Sequence, residues 1–260
     1  MLETAKKWGD ENIYYEDKFS MYITDVTGGS CADTCHLGVG PHADRGQKHG
    51  LHYSYGSVED VSHWKAVRTN YMHLAPDEPG YMDDQHFRAL ELPMPADPKK
   101  RYKGGYHPDP KTGGGYFYNY VKLDKEKPLS EARVQPRYLP RTLNIRPNPD
   151  PTTSEEDYKW WLHKATSLPY SEALDTYPVG TVLPNIVTGP FQGDRAHVRA
   201  KAKWAQGRWT LEVRRVFDTR SAFDIAFSTE RPVYLTLAPY NRAQTRHSEH
   251  IKPVQLTLEK

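Results

Sequence analysis

The chain has 260 residues, enough for one large domain, and its 35 basic and 33 acidic residues are interspersed to a net charge of +2, which argues against a nucleic-acid surface. No run approaches the roughly 18 apolar residues of a transmembrane helix, which excludes one. Hydrophobic residues make up only 37%, but 18 Tyr, 21 Pro and 18 Gly describe a folded, loop-rich domain with a modest core rather than a disordered chain.

The opening MLETAKKWGDENIYYEDKF lacks the apolar stretch of a secretory signal, which fits either a cytosolic start or a mature chain whose leader lies outside this sequence. The first predicted strand is DKFSMYITDV, residues 17–26. It runs into GGSCADTCHLGVGPHADRG, residues 28–46, which holds the two cysteines of the chain, Cys31 and Cys35, with His36 directly after the second. Three readings of this block stand open. A disulfide would close a very small loop and stabilise little. A zinc site could join both thiolates to two of His36, His42, His49 and His52, since knuckle cysteines stand two to four residues apart. A covalent haem anchor is the third. In C-x-x-C-H both thiols form thioethers to the haem vinyl groups and the adjacent histidine ligates iron. Here one additional residue separates the cysteines, which a bulge in the loop can absorb, and Gly28, Gly29, Gly38 and Gly40 permit the close backbone approach of a flat macrocycle.

Next come EDVSHWKAVRTN, residues 59–70, and PGYMDDQ, residues 79–85. His63 reads as a core histidine hydrogen-bonded between strands. Met72 and Met82 can serve as thioether ligands or as gap fillers in the core. The MDD triplet at 82–84 can bind a cation such as Ca2+, with a turn as the plainer reading. Residues 93–153 are dense in Pro, Gly, Lys and Tyr and read as a long excursion without regular structure, which in a compact domain is usually functional. TSEEDYKWWLHKA, residues 153–165, reads as one short helix capped by Thr153 or Ser154. KTGGGYF at 111–117 lacks the Lys-Ser/Thr ending of a phosphate loop. From residue 194 to 258 the runs AHVRAKAKWA, GRWTLEVRRVF, FDIAFS, PVYLTLAPY and PVQLTLE recur about every 8–12 residues, the spacing of an all-β sandwich. Trp209, Leu211 and Val213 alternate with Thr210, Glu212 and Arg214 as on a strand with one buried face.

The ordered blocks 59–70, 79–85, 193–219, 223–228 and 237–258, together with the cysteine block, resemble the haem-binding family that contains the ethylbenzene dehydrogenase gamma subunit and cytochrome c-552-like proteins. The resemblance covers residues 12–92 and 180–258. It implies an all-β sandwich holding one haem and passing electrons. Gamma subunits of this family hold haem b through Met and Lys; the Cys-x-x-x-Cys-His block instead resembles the cytochrome branch. By position, the resemblance implies haem c attached through Cys31 and Cys35, with His36 as proximal ligand. The distal ligand is expected in TRHSEH, where His247 is the first choice and His250 the second. It also implies that Trp64 lies against the haem or the core and that Lys65 and Arg68 can pair with the propionates. We therefore read residues 1–260 as one haem-binding β-sandwich domain, with a loop-rich insertion at about 93–179 and a few short helices. The expected role is electron transfer without substrate chemistry, in a periplasmic or extracellular setting. The expected partner is a molybdenum oxidoreductase, another cytochrome or a second copy of the chain. A non-redox ligand- or carbohydrate-binding module and a zinc-stabilised structural domain are the alternatives.

Overall fold

The structure, a computed structural model, describes residues 16–27, 53–54, 59–75, 77–89, 106–141, 161–179, 181, 183–243, 247–248 and 252–259. Its main sheet has seven strands. The order is Val254–Leu256, Val233–Tyr240, Lys18–Thr24, Glu59–Lys65 and Asp83–Ala89, with both Tyr53–Ser54 and Tyr106–Pro108 pairing Asp83–Ala89. Every pairing in it is antiparallel except that of Tyr53–Ser54. A second sheet, Arg208–Arg214 beside Arg199–Ala205 beside Gly80–Tyr81, packs face to face against the first.

Strand register sorts the side chains. Phe19 pairs with Trp64 and Met21 with Ser62, so these share the face that meets the second sheet. There Trp64, Ala66, Met82, Val198, Ala200 and Ala202 form the buried core, with Phe19, Met21, Trp209, Leu211 and Val213 packed around it. The inward set Trp209, Leu211 and Val213 is the alternation predicted from sequence. Trp64 and Trp209 meet edge to face with ring centroids 5.0 Å apart. The opposite face of the main sheet carries Tyr22, Val61 and Phe87 as a separate apolar cluster. A third, of Ile23, Ile225 and Val233, closes the edge nearest Val254–Leu256.

Four predicted strands are present, at Lys18–Thr24, Arg199–Ala205, Arg208–Arg214 and Val233–Tyr240, and the last, Val254–Leu256, is shorter than expected. Three expectations are corrected. FDIAFS forms no strand: Ile225 enters the core while Asp224 turns toward polar partners, and a single backbone bond from Phe227 N–H to the Phe217 carbonyl, 2.7 Å, holds it. In the described part of the expected helix, Trp161–His163 is a strand and Lys164–Thr166 a 3-10 turn, because a parallel partner, Ile186–Thr188, takes up the backbone groups. The excursion contains regular structure after all, in strands of two or three residues such as Phe117–Tyr118 and Tyr138–Pro140, which are too short to show a period. Asn119 ties them together: its amide nitrogen donates to the Tyr138 and Pro184 carbonyls, and its oxygen accepts from the Arg137 and Tyr138 N–H groups.

Asn70 joins the two sheets. Its Oδ1 accepts from the Trp64 indole N–H at 3.1 Å and the Ala202 N–H at 2.8 Å, and its Nδ2 donates to the Ala202 carbonyl at 3.2 Å. The neighbouring Gly80 is pressed so closely that a Cβ would lie 2.0 Å from the Thr69 carbonyl oxygen. Asn70→Ala strands two buried donors and one carbonyl and should cost about 2–4 kcal/mol. Urea unfolding should show a lower midpoint at unchanged slope.

Candidate functional site

Side chains alternate across the sheet, and residues 82–84 divide accordingly. Met82 lies in the core between the sheets, Asp83 points to the opposite face, and Asp84 points back to the inner side. The triplet is therefore neither a turn nor one shared cation loop.

On the outer face Asp83 is fully buried and receives both Lys65 and Arg195, the latter through two nitrogens. The Tyr116 hydroxyl donates to Asp83 Oδ2 at 2.8 Å and accepts from Lys65 Nζ at 2.8 Å. Two cations around one carboxylate outweigh its burial and hold Asp83 below the usual carboxylate range. Lys65 is drawn the other way: burial lowers it to about 8 against the pull of Asp83, with Arg68 adding to the fall. Arg68 pairs with Glu16, which also accepts the Val67 and Arg68 N–H groups. Lys65 and Arg68 thus commit their charges to protein carboxylates.

Beside this network Ser20 pairs His63, and Lys18 pairs Lys65 and Tyr240. Burial holds His63 neutral, with Lys65 and Lys18 adding to the effect, and Asp83 and a hydrogen bond to Gln85 opposing it. It occupies the between-strand position expected from sequence. Lys18 lies 4.2 Å from the centroid of the Tyr240 ring, and burial lowers its amine to about 7, assisted by Arg68 and Lys65. Tyr240 in turn contacts the His247 ring, with centroids 4.7 Å apart. Sequence reasoning missed Lys18; its place at the start of an alternating strand was the available signal.

The expected haem residues that are described fall in separate parts of the structure. Cys31, Cys35, His36 and His250 lie outside the described residues. Trp64 lies inside the sandwich, with its N–H on Asn70. Met72 and Met82 are fully buried as core fillers. His247 is half-buried, held by its Tyr240 contact and by the Ser248 N–H to Pro239 carbonyl bond, 3.2 Å. Tyr240 pairs with Lys18, while Tyr234 pairs with Thr24. The His247 segment therefore leaves the sheet at the start of Lys18–Thr24, and the chain toward Cys31 leaves at the end of that strand. Antiparallel pairing puts these two exits at opposite ends of Lys18–Thr24.

On the inner side, at the edge formed by Asp83–Ala89 and Tyr106–Pro108, a second polar group gathers. Ser62 Oγ donates to Asp84 Oδ1 at 2.8 Å, His86 Nδ1 meets Asp109 Oδ1 at 2.7 Å, and Arg215 Nη1 donates to Asp60 Oδ2 at 2.6 Å. Asp224 Oδ2 accepts from Thr219 Oγ1 at 2.5 Å and lies 2.8 Å from His197 Nδ1. Burial pushes Asp60 up to about 7 against the pull of Arg215, and Asp109 up to about 6 against that of His86; it raises Asp84 well above the carboxylate range, with Asp60, Asp224 and Asp109 adding to the rise. Sequence reasoning named Asp84 alone of this group.

Asp83→Asn removes the charge between two buried cations and should destabilise the fold by about 3–5 kcal/mol in chemical denaturation. Lys18 gives a pH test. Held at about 7 in the fold against 10.5 when unfolded, it binds fewer protons folded than unfolded across that window, so its contribution to stability rises with pH there. The urea midpoint should climb between these pH values, and Lys18→Met should climb less.

Among the described residues no helix is long and apolar enough to cross a membrane. No curated protein and no solved structure matches the chain. A family model described as ethylbenzene dehydrogenase matches residues 1–252, spanning the cysteine block, nearly all of both sheets and the segment between them. The match associates the chain with a molybdenum oxidoreductase complex and agrees with its all-β architecture. On that near-complete match, the chain belongs to the ethylbenzene dehydrogenase family.

Proposed function

We propose that this chain is the electron-transfer member of an extracytoplasmic oxidoreductase complex, carrying one haem c and performing no substrate chemistry of its own. The observation that carries the reading is the Cys31-x-x-x-Cys35-His36 block lying within a family match over residues 1–252. Two thiols and an adjacent imidazole are the donor set for thioether attachment and iron ligation. Bound there, a haem would supply a reversible one-electron couple.

The chain's own residues fit that role in three ways. Cys31 and Cys35 would fix the porphyrin edge, and His36 would ligate the iron from one side. The outer face of the main sheet offers Tyr22, Val61 and Phe87 as an apolar wall, with His63 held neutral beside it. His247, or His250 after it, would close the second axial position; two axial side chains leave no open site for O2 or substrate. Trp64 supports the wall strand from the inner side. Lys65 and Arg68 contribute through their pairs with Asp83 and Glu16, which set the charge at one end of that face. Thioether formation takes place outside the cytoplasm, so the mature protein would reside in the periplasm or beyond. The redox partner is a molybdenum enzyme or another cytochrome.

Acid-denatured protein should keep its haem colour, with a mass increased by one haem. Haem that extracts into organic solvent would show that no thioether forms. His36→Ala should abolish the low-spin spectrum. His247→Ala should open the iron to carbon monoxide while His250→Ala should not, and the reverse result would exchange the two assignments.

A further inference from the structure

From the geometry we infer a divalent-cation site built from Asp84, His197 and Asp224, with Asp60 and Asp109 beside it, separate from the haem residues. One ligand atom from each of the first three lies within 4.8 Å of the others. They come from three parts of the chain: Asp84 from strand Asp83–Ala89, His197 from the end of the 3-10 turn Asp194–Ala196, and Asp224 from the segment after Arg208–Arg214.

Acidic residues alone would not make a site; the state of their oxygens points to one. Asp60, Asp84, Asp109 and Asp224 each give one oxygen to a protein partner and keep the other buried without any. Asp60, Asp84 and Asp109 show no more than 2% exposure and the side chain of Asp224 1%. A buried carboxylate oxygen without a donor is costly, and four of them in one place demand a common positive partner. Four carboxylates face one bonded guanidinium, that of Arg215, with the His86 and His197 imidazoles as the other basic groups bonded to them. A cation held by Asp84, His197 and Asp224 would satisfy the inner oxygens of both carboxylates at once and offset the charge of Asp60 and Asp109 beside it.

The ligand chemistry selects the ion. Ca2+ takes oxygen ligands, while one imidazole among carboxylates suits Zn2+, which accepts both, and Mn2+ through the carboxylates. His197 is the member that water can reach, with 27% of its side chain exposed, and it provides the access path. His86 on Asp109, Ser62 on Asp84 and Thr219 on Asp224 hold the outer oxygens and orient the inner ones. Bound there, the ion would tie the loop at 219–224 and the turn before Arg199–Ala205 to the main sheet.

Metal analysis of the full chain tests this, with Zn and Mn counted separately from haem iron. Near one equivalent of Zn or Mn per chain is expected. EDTA should remove it and lower the thermal midpoint, and added Zn2+ or Mn2+ should restore that midpoint where Ca2+ does not. Asp84→Asn and His197→Gln should each lower the metal content at least tenfold with the β-sheet circular dichroism and haem colour retained, which distinguishes this site from metal held at Cys31 and Cys35. Variants that keep the wild-type content would overturn the assignment, as would a wild-type midpoint indifferent to EDTA and to all three ions. Rescue by Ca2+ alone would remove His197 from the ligand set. Should Asp84→Asn fail to fold, the EDTA and add-back series on the wild type decides.

Discussion

The architecture depends on burying two consecutive carboxylates on opposite sides of one strand. Asp83 and Asp84 are both fully buried, and strand alternation forbids them a common partner. Each face of the sheet must therefore supply its own compensation. The outer face does so with Lys65, Arg195 and Tyr116, while on the inner side Ser62 donates to Asp84 and the neighbouring carboxylates favour its protonated form. Because a buried charge without a partner costs several kcal/mol, these constraints decide which distant segments must approach the strand. Arg195 stands 112 positions from Asp83, and its approach brings the 194–197 turn and the second sheet into place.

The two faces have different characters. The outer face combines an apolar wall of Tyr22, Val61 and Phe87 with a titratable end of Lys18, His63 and Lys65, where burial lowers all three basic groups toward neutrality. Such an environment suits a cofactor whose charge changes by one during turnover, because fixed charges in a low dielectric set its potential. The inner face is apolar between the sheets and becomes acidic only at the edge, where the segment after Arg208–Arg214 folds over it. A redox centre on one side and a structural ion on the other would share the strand Asp83–Ala89 without sharing ligands.

The insertion illustrates a separate constraint. Its strands of two or three residues bury single apolar side chains such as Leu139 and Leu162, and single polar side chains such as Asn119 satisfy several backbone groups at once.

Sequence by itself determined the all-β class, the strands Lys18–Thr24, Arg199–Ala205, Arg208–Arg214 and Val233–Tyr240, and the Cys31, Cys35 and His36 block. Each is a local signal: alternation with one apolar face, or cysteines and a histidine at short spacing. Only the tertiary structure decided that Glu59–Lys65 and Asp83–Ala89 are central strands, because both are rich in buried polar residues, and no period marks a strand whose inward positions are Asp, Ser and His. The same holds for the acidic group, of which Asp84 alone drew attention, since His197 and Asp224 come from other parts of the chain. It holds too for FDIAFS, whose apolar look promised a strand until Asp224 was required elsewhere. The physical reason is common to all three: local pattern reports which residues avoid water, whereas the partner of a buried charge is fixed by the fold, and that partner can stand anywhere in the sequence.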